Sequence, residues 1–128
     1  MTDARAVLII GQDPATVDFT EPGIIPGMTA EKVHAGLAAA LAQLADKGLK
    51  GDLCLTDLGE TAEAVVTAKL AAARFDVIVI GAGIRLPPSK LGLLEKVLNA
   101  VHRHAPTAAI AFNTRPDDTA EAALRWLN

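Results

Sequence analysis

Residues 77–112 read VIVIGAGIRLPPSKLGLLEKVLNAVHRHAPTAAIAF, and this stretch decides the fold. It opens and closes with short apolar runs, 77–80 and 108–112, that have the length and composition of buried strands. Between them apolar residues recur at helical spacing from Leu91 to Val101, after two prolines and before a third. A strand, a helix and a strand in this order predict two parallel strands joined by a crossover helix.

The same alternation extends toward the N-terminus. Two further apolar runs, 6–10 and 53–55, each precede a helical pattern, and the patterns begin after Thr29 and Thr61. A short fourth helix is predicted after Asp118, which forms a capping-box pattern with Glu121 three residues later. The first and third runs are continuously apolar, as in strands covered on both faces, whereas the second alternates as an edge strand does.

Right-handed crossovers then give the strand order 2-1-3-4. The sequence therefore predicts an α/β fold, a three-layer, doubly wound parallel sheet of four strands in the flavodoxin-like arrangement, without its fifth strand. The length of 128 residues fits a single domain over 1–128.

Composition and charge exclude several classes of function. A hydrophobic content of 51% argues against disorder, and a net charge of −3 with one tryptophan and no tyrosine disfavours binding to nucleic acid or an anionic membrane. The single cysteine, Cys54, allows neither an intrachain disulfide nor a thiolate zinc cluster. The N-terminus lacks signal-peptide features and no apolar run approaches the roughly 20 residues of a membrane span, so a cytoplasmic location is expected.

The loop after the first strand, residues 11–28, is the first candidate functional feature. Structureless loops of this length are uncommon in compact domains and usually serve a function. In an open α/β sheet the ligand site lies at the carboxyl ends of the strands where the strand order reverses, which is between strands one and three here. The loop is therefore expected to be a lid or wall of a binding site.

The other loops at this edge supply polar side chains. Arg85 is the predicted anchor for an anion, next to the N-terminus of the helix that Ser89 opens. Asp13 and Asp57 have oxygens suited to Mg²⁺, but carboxylates on neighbouring loops are common, so no metal site is predicted, and no cofactor is identified. The predicted ligand-binding residues are Gln12, Asp13, Asp57, Arg85, Asn113 and Thr114.

A second candidate feature is the fourth strand. It is an edge strand in the predicted order, and residues 108–112 carry no charge that would protect it from pairing. Trp126 lies off the apolar stripe of the last helix. These observations predict a homodimer through the fourth strand and the last helix, with the alternative that the helix folds over the edge.

From Phe75 onward the chain resembles the receiver domains of response regulators. The resemblance rests on the apolar strand at 77–80, on Pro88 and Gly92, and on a later strand that ends at Thr114. It implies a degenerate receiver, because Gly81 occupies the position of the phosphorylated aspartate and the final strand with its lysine is missing.

Three functions remain open from the sequence. The leading hypothesis is a small domain that binds a small polar or anionic ligand at the carboxyl edge without turnover. The second is an enzyme that acts on a small anionic substrate, with Asp13 or His34 as its base. The third is a protein-interaction module, a receiver-like domain that uses its last helix.

Overall fold

The computed structural model of the protein describes residues 5–127, in which one four-stranded sheet has helices on both faces. No helix in this range combines the length and the apolar content needed to cross a bilayer. The strands are β1 (Ala6–Gln12), β2 (Lys50–Thr56), β3 (Val77–Ile80) and β4 (Ala109–Phe112). The helices are α1 (Ala30–Asp46), α2 (Ala62–Ala72), α3 (Ala82–Arg85), α4 (Leu91–His104) and α5 (Thr119–Leu124). Three 3-10 turns cover Pro14–Thr16, Pro88–Lys90 and Pro116–Asp118.

The strand order is β2-β1-β3-β4, and all neighbouring strands are parallel. In this register Ile10 of β1 lies between Cys54 of β2 and Ile80 of β3. The predicted order 2-1-3-4 and the three-layer, flavodoxin-like α/β fold are confirmed.

One apolar layer covers each face of the sheet. The side chains of β1 point alternately into the two layers. Leu8 and Ile10 pack with residues of α2 and α4, whereas Val7 and Ile9 pack with residues of α1 and α5. All four side chains are at most 1% exposed. Burial on both faces explains why β1 and β3 are continuously apolar in the sequence.

Several local predictions need correction. The first strand, predicted over 6–10, continues to Gln12, and the helix predicted to open at Ser89 begins at Leu91. The second strand, predicted over 53–55, begins at Lys50, because its backbone pairing with β1 continues along the exposed residues 50–52. The carboxylate of Asp118 does not cap α5 as the predicted capping box requires. It accepts hydrogen bonds from the amides of Thr114 and Arg115 instead, so it closes the turn before the helix.

Thr29 determines where the helix α1 begins, and Gly36 determines how closely it packs against the turn after β4. Thr29 caps the helix as predicted, because its hydroxyl accepts from the amide of Lys32 at 3.2 Å. A β-carbon on Gly36 would lie 2.5 Å from Cβ of Pro116. Glycine at this position therefore lets the turn after β4 pack directly on α1, next to the carboxyl ends of the strands.

Candidate functional site

The candidate site lies where the strand order reverses, at the carboxyl ends of β1 and β3. The amide of Gly81 donates to the carbonyl oxygen of Ile10 at 2.9 Å, which joins the two strand ends. Gly11 and Gly81 carry no side chain into the space beyond this bond, and both line a cavity of about 90 Å³. We call this space the switch-point cavity.

The segment 17–28, here called the cover segment, forms one wall of the switch-point cavity. Its apolar side chains are half-buried, and so is Val33 of α1 beside them. The walls are thus apolar, and part of the surface of these side chains remains exposed to solvent. The cover segment contributes Val17, Phe19, Ile24, Ile25 and Met28, and α1 contributes Val33 and Leu37.

Two contacts fix the cover segment to the start of α4. The carboxylate of Glu21 pairs with Nζ of Lys90 at 3.0 Å, and the two side chains are only 17% and 9% exposed. At Gly23, where φ is +92°, a β-carbon would lie 2.7 Å from Cα of Pro87. This position needs glycine both for its left-handed backbone and for the close approach.

Two of the six predicted site residues line the switch-point cavity, and both are buried. Nε2 of Gln12 donates to the carbonyl oxygen and the hydroxyl of Thr16, at 3.1 and 3.0 Å. Oδ1 of Asn113 accepts from the amide of Ala82 at 2.8 Å, and its Nδ2 donates to the hydroxyl of Thr119 at 2.9 Å. The side-chain amides of Gln12 and Asn113 therefore connect the ends of β1 and β4 to the segments beside them.

Arg85 lies beside the cavity, and its guanidinium is turned toward the protein. Nε donates to the carbonyl oxygen of Ile80 at 3.1 Å, and Nη2 donates to that of Asn113. The guanidinium also lies 4.7 Å from the ring centre of Phe112, within cation–π distance. Partial burial lowers the pKa of Arg85. The residue predicted to anchor an anion thus holds two strand ends together.

The carboxylates of Asp13 and Asp57 shape local turns. Oδ1 of Asp13 accepts from the amide of Ala15 and begins the 3-10 turn after β1. The carboxylate of Asp57 accepts from the hydroxyl of Thr61 at 2.6 Å and from the amide of Gly59 at 2.9 Å. These hydrogen bonds, that from the Thr61 side chain first, lower the pKa of Asp57.

Thr114, the last predicted site residue, is exposed and belongs to a turn. Its hydroxyl and amide both donate to Asp118. Burial alone would raise the pKa of Asp118, but the hydrogen bonds from Thr114 and Arg115 outweigh it, and the net shift is downward. Within residues 5–127, no three His, Cys, Asp or Glu side chains come together as a metal-binding group.

Sequence reasoning missed the apolar walls of the site. It singled out the polar residues of the loop 11–28, whereas Ile24, Ile25 and Met28 of the same loop line the cavity. The available signal was the presence of two isoleucines and a methionine in a loop rich in proline and glycine, because large apolar side chains are stabilised by burial against other apolar groups. The partner of Glu21 lies 69 residues away, and no local pattern indicates it.

No protein-family model matches this sequence, and no curated protein is recognisably similar to it.

Proposed function

We propose that this protein binds a small molecule in the switch-point cavity without turning it over. One observation carries the proposal, namely that half-buried apolar side chains surround a cavity at the position where open α/β sheets bind ligands. A ligand in this space would remove the exposed parts of Phe19, Ile24, Ile25 and Met28 from water, which favours binding.

Neither of the two candidate bases lines the cavity, which supports binding over turnover. His34, one of the two candidate bases, is exposed on α1 and does not line the cavity. Asp13, the other, accepts a hydrogen bond from the turn that follows it. In the described part of the chain, no hydrogen bond joins a histidine to a serine, threonine or cysteine, as nucleophilic catalysis would use.

A native mass spectrum of the gently purified protein tests the proposal. We expect wild-type protein to carry extra mass that denaturation releases. Gly83 lines the cavity and has open space at its β-carbon, so Gly83→Leu adds a bulky side chain to the cavity wall and should abolish the extra mass. Gly92 of α4 also has open space but does not line the cavity, and Gly92→Leu is the matched control. Bare protein in all three samples contradicts the proposal.

We further propose that β4 and α5 form a homodimer interface. The amide of Ala109 donates toward β3, so Ile110 and Phe112 direct their peptide groups to the free edge of the sheet. Arg125 of the terminal turn donates to the carbonyl oxygen of Phe112 and covers part of this edge. The side chains of Ile110, Phe112 and Trp126 are 36%, 43% and 57% exposed. The same surface supports the interaction-module hypothesis for a receiver-like domain.

Sedimentation analysis of paired lysine variants tests the dimer. Wild-type protein should sediment as a dimer, and Ile110→Lys should sediment as a monomer because a charge on an edge strand opposes pairing. Leu58 follows β2 near the opposite edge of the sheet and is 52% exposed, so Leu58→Lys should remain dimeric. A monomeric wild type, or a dimeric Ile110→Lys, contradicts the interface.

A further inference from the structure

We infer that the switch-point cavity selects an uncharged ligand, whose buried part is a small ring or a branched aliphatic group, over an anion of the same size. This inference rests on the proposed function and gives the ligand a chemical class. It narrows the sequence-based expectation of a small polar or anionic ligand at this edge, because the structure places Arg85, Lys90 and the amides named below in contacts within the protein.

The walls favour apolar groups. Side chains from the cover segment, from α1 and from β1 face the cavity, among them Phe19, Ile25, Leu37 and Ile9. The cavity of about 90 Å³ is far smaller than the roughly 300–1,000 Å³ of sites for drug-sized ligands. It therefore has room for a single ring or a branched chain, and a larger molecule would have to leave its remainder outside.

Three polar groups of the wall are already hydrogen-bonded, namely the side chains of Gln12 and Asn113 and the backbone amide of Ala82. The amide of Ala82, at the beginning of α3, is occupied by Oδ1 of Asn113, so an anion there would have to displace this carboxamide. Nδ2 of Asn113 donates to Thr119, whose hydroxyl donates onward to the carbonyl oxygen of Pro116 at 2.7 Å. Nε2 of Gln12 donates to Thr16. Within the described wall, an anion would find these amide donors in use.

Two cationic side chains near the cavity, those of Arg85 and Lys90, are also engaged. Arg85 donates to two backbone carbonyl groups, and Lys90 pairs with Glu21. An anion that recruited Lys90 would have to leave the carboxylate of Glu21 without its partner in a mostly buried position. Burying an unpaired charge is costly, whereas an uncharged group makes no such demand. The site therefore discriminates against negative charge.

A titration with benzamide and benzoate measures this discrimination, because the two compounds have the same ring and nearly the same size. Amide chemical shifts of isotopically labelled protein report the site of binding. We expect benzamide to shift amides of the cover segment and of residues 81–83, with an affinity about tenfold or more above that of benzoate at neutral pH. Gly83→Leu should abolish these shifts, and Gly92→Leu should retain them.

The outcomes separate this inference from the proposed function. Equal or tighter binding of benzoate at the same amides overturns the inference and leaves the function standing. If neither compound binds and the protein purifies without extra mass, both fail. If neither binds but wild-type protein carries extra mass, the identity of that molecule decides. An uncharged apolar molecule supports the inference, and an anion overturns it.

Discussion

Thr56 is the last residue of β2 and illustrates how one buried atom affects stability. Its side chain is 1% exposed, and its hydroxyl has no hydrogen-bond partner. A buried hydroxyl without a partner is unfavourable, so Thr56→Val should stabilise the protein by about 1 kcal/mol. Urea unfolding measures this as a higher midpoint at constant slope.

The matched control is Thr119, which is completely buried. Its hydroxyl donates to Pro116 and accepts from Asn113, so Thr119→Val should destabilise the protein by about 1–3 kcal/mol. A loss of stability in Thr56→Val of similar size would contradict the prediction and would mean that the Thr56 hydroxyl is hydrogen-bonded in solution.

Residue types at the carboxyl edge were predictable, but their roles were not. The sequence places Arg85 in the loop that follows the third strand, and in the structure it lies in that connection as the last residue of the short helix α3. The guanidinium, however, donates to a carbonyl group 28 residues away, and the side chain of Asn113 binds an amide 31 residues away. Contacts between residues so far apart in the sequence depend on the tertiary structure. Local patterns therefore cannot show whether a polar side chain binds a ligand or the backbone of the protein itself.

The N-terminus of α2 depends on the ionised carboxylate of Asp57. Hydrogen bonds from the side chain of Thr61 and from the amide of Gly59 lower the pKa of Asp57 below its ordinary value of 3.8. A lowered pKa in the folded state stabilises the fold above the unfolded pKa, and this contribution is lost as the pH falls through the folded pKa. Stability should therefore decrease below about pH 4.

Asp57→Asn cannot titrate at this position. It should be less stable than wild type at neutral pH, and its stability should fall less steeply below about pH 4. Thr61→Val removes the hydroxyl that donates to Asp57. It should also make the loss of stability below about pH 4 less steep, but by a smaller amount than Asp57→Asn. Urea midpoints at neutral and acid pH measure both variants, and an unchanged acid dependence in Asp57→Asn would contradict this role.

At the level of elements, hydrophobic periodicity predicted the longer helices well. The capped start of α1 after Thr29 and the extent of α4 follow from apolar spacing, threonine and proline. The helix α3 and the 3-10 turn Pro88–Lys90 were read as loop, because four and three residues are too few to show a period. The length of β2 was underestimated because pairing at an edge does not require apolar side chains.

At the scale of the whole molecule, the strand order was predictable because the burial of a strand determines how many of its residues are apolar. Strands covered on both faces are continuously apolar, and this property, together with the alternating pattern of β2 and right-handed crossovers, placed β1 and β3 in the centre. The path of the cover segment was not predictable, because a buried ion pair and a close contact at Gly23 hold it in place. Both partners of these contacts lie more than 60 residues away along the chain.

The pair of Glu21 and Lys90 should therefore control how often the cover segment opens. Lys90→Met leaves the mostly buried carboxylate of Glu21 without a partner, which should destabilise the closed segment by about 2 kcal/mol, or about thirtyfold in the opening equilibrium. Amide hydrogen exchange should accelerate across residues 17–28 and remain slow in β1 and β3.

Two further variants separate the ion pair from a general effect of losing a lysine. Lys96 of α4 donates to the carbonyl oxygen of Gly59 at an exposed position, so Lys96→Met should leave exchange in the cover segment unchanged. Adding Glu21→Gln to Lys90→Met removes the unpaired charge and should recover part of the protection. Equal exchange in Lys90→Met and Lys96→Met would mean that the apolar contacts of the cover segment alone keep it closed. In that case a ligand would enter the cavity without breaking the ion pair.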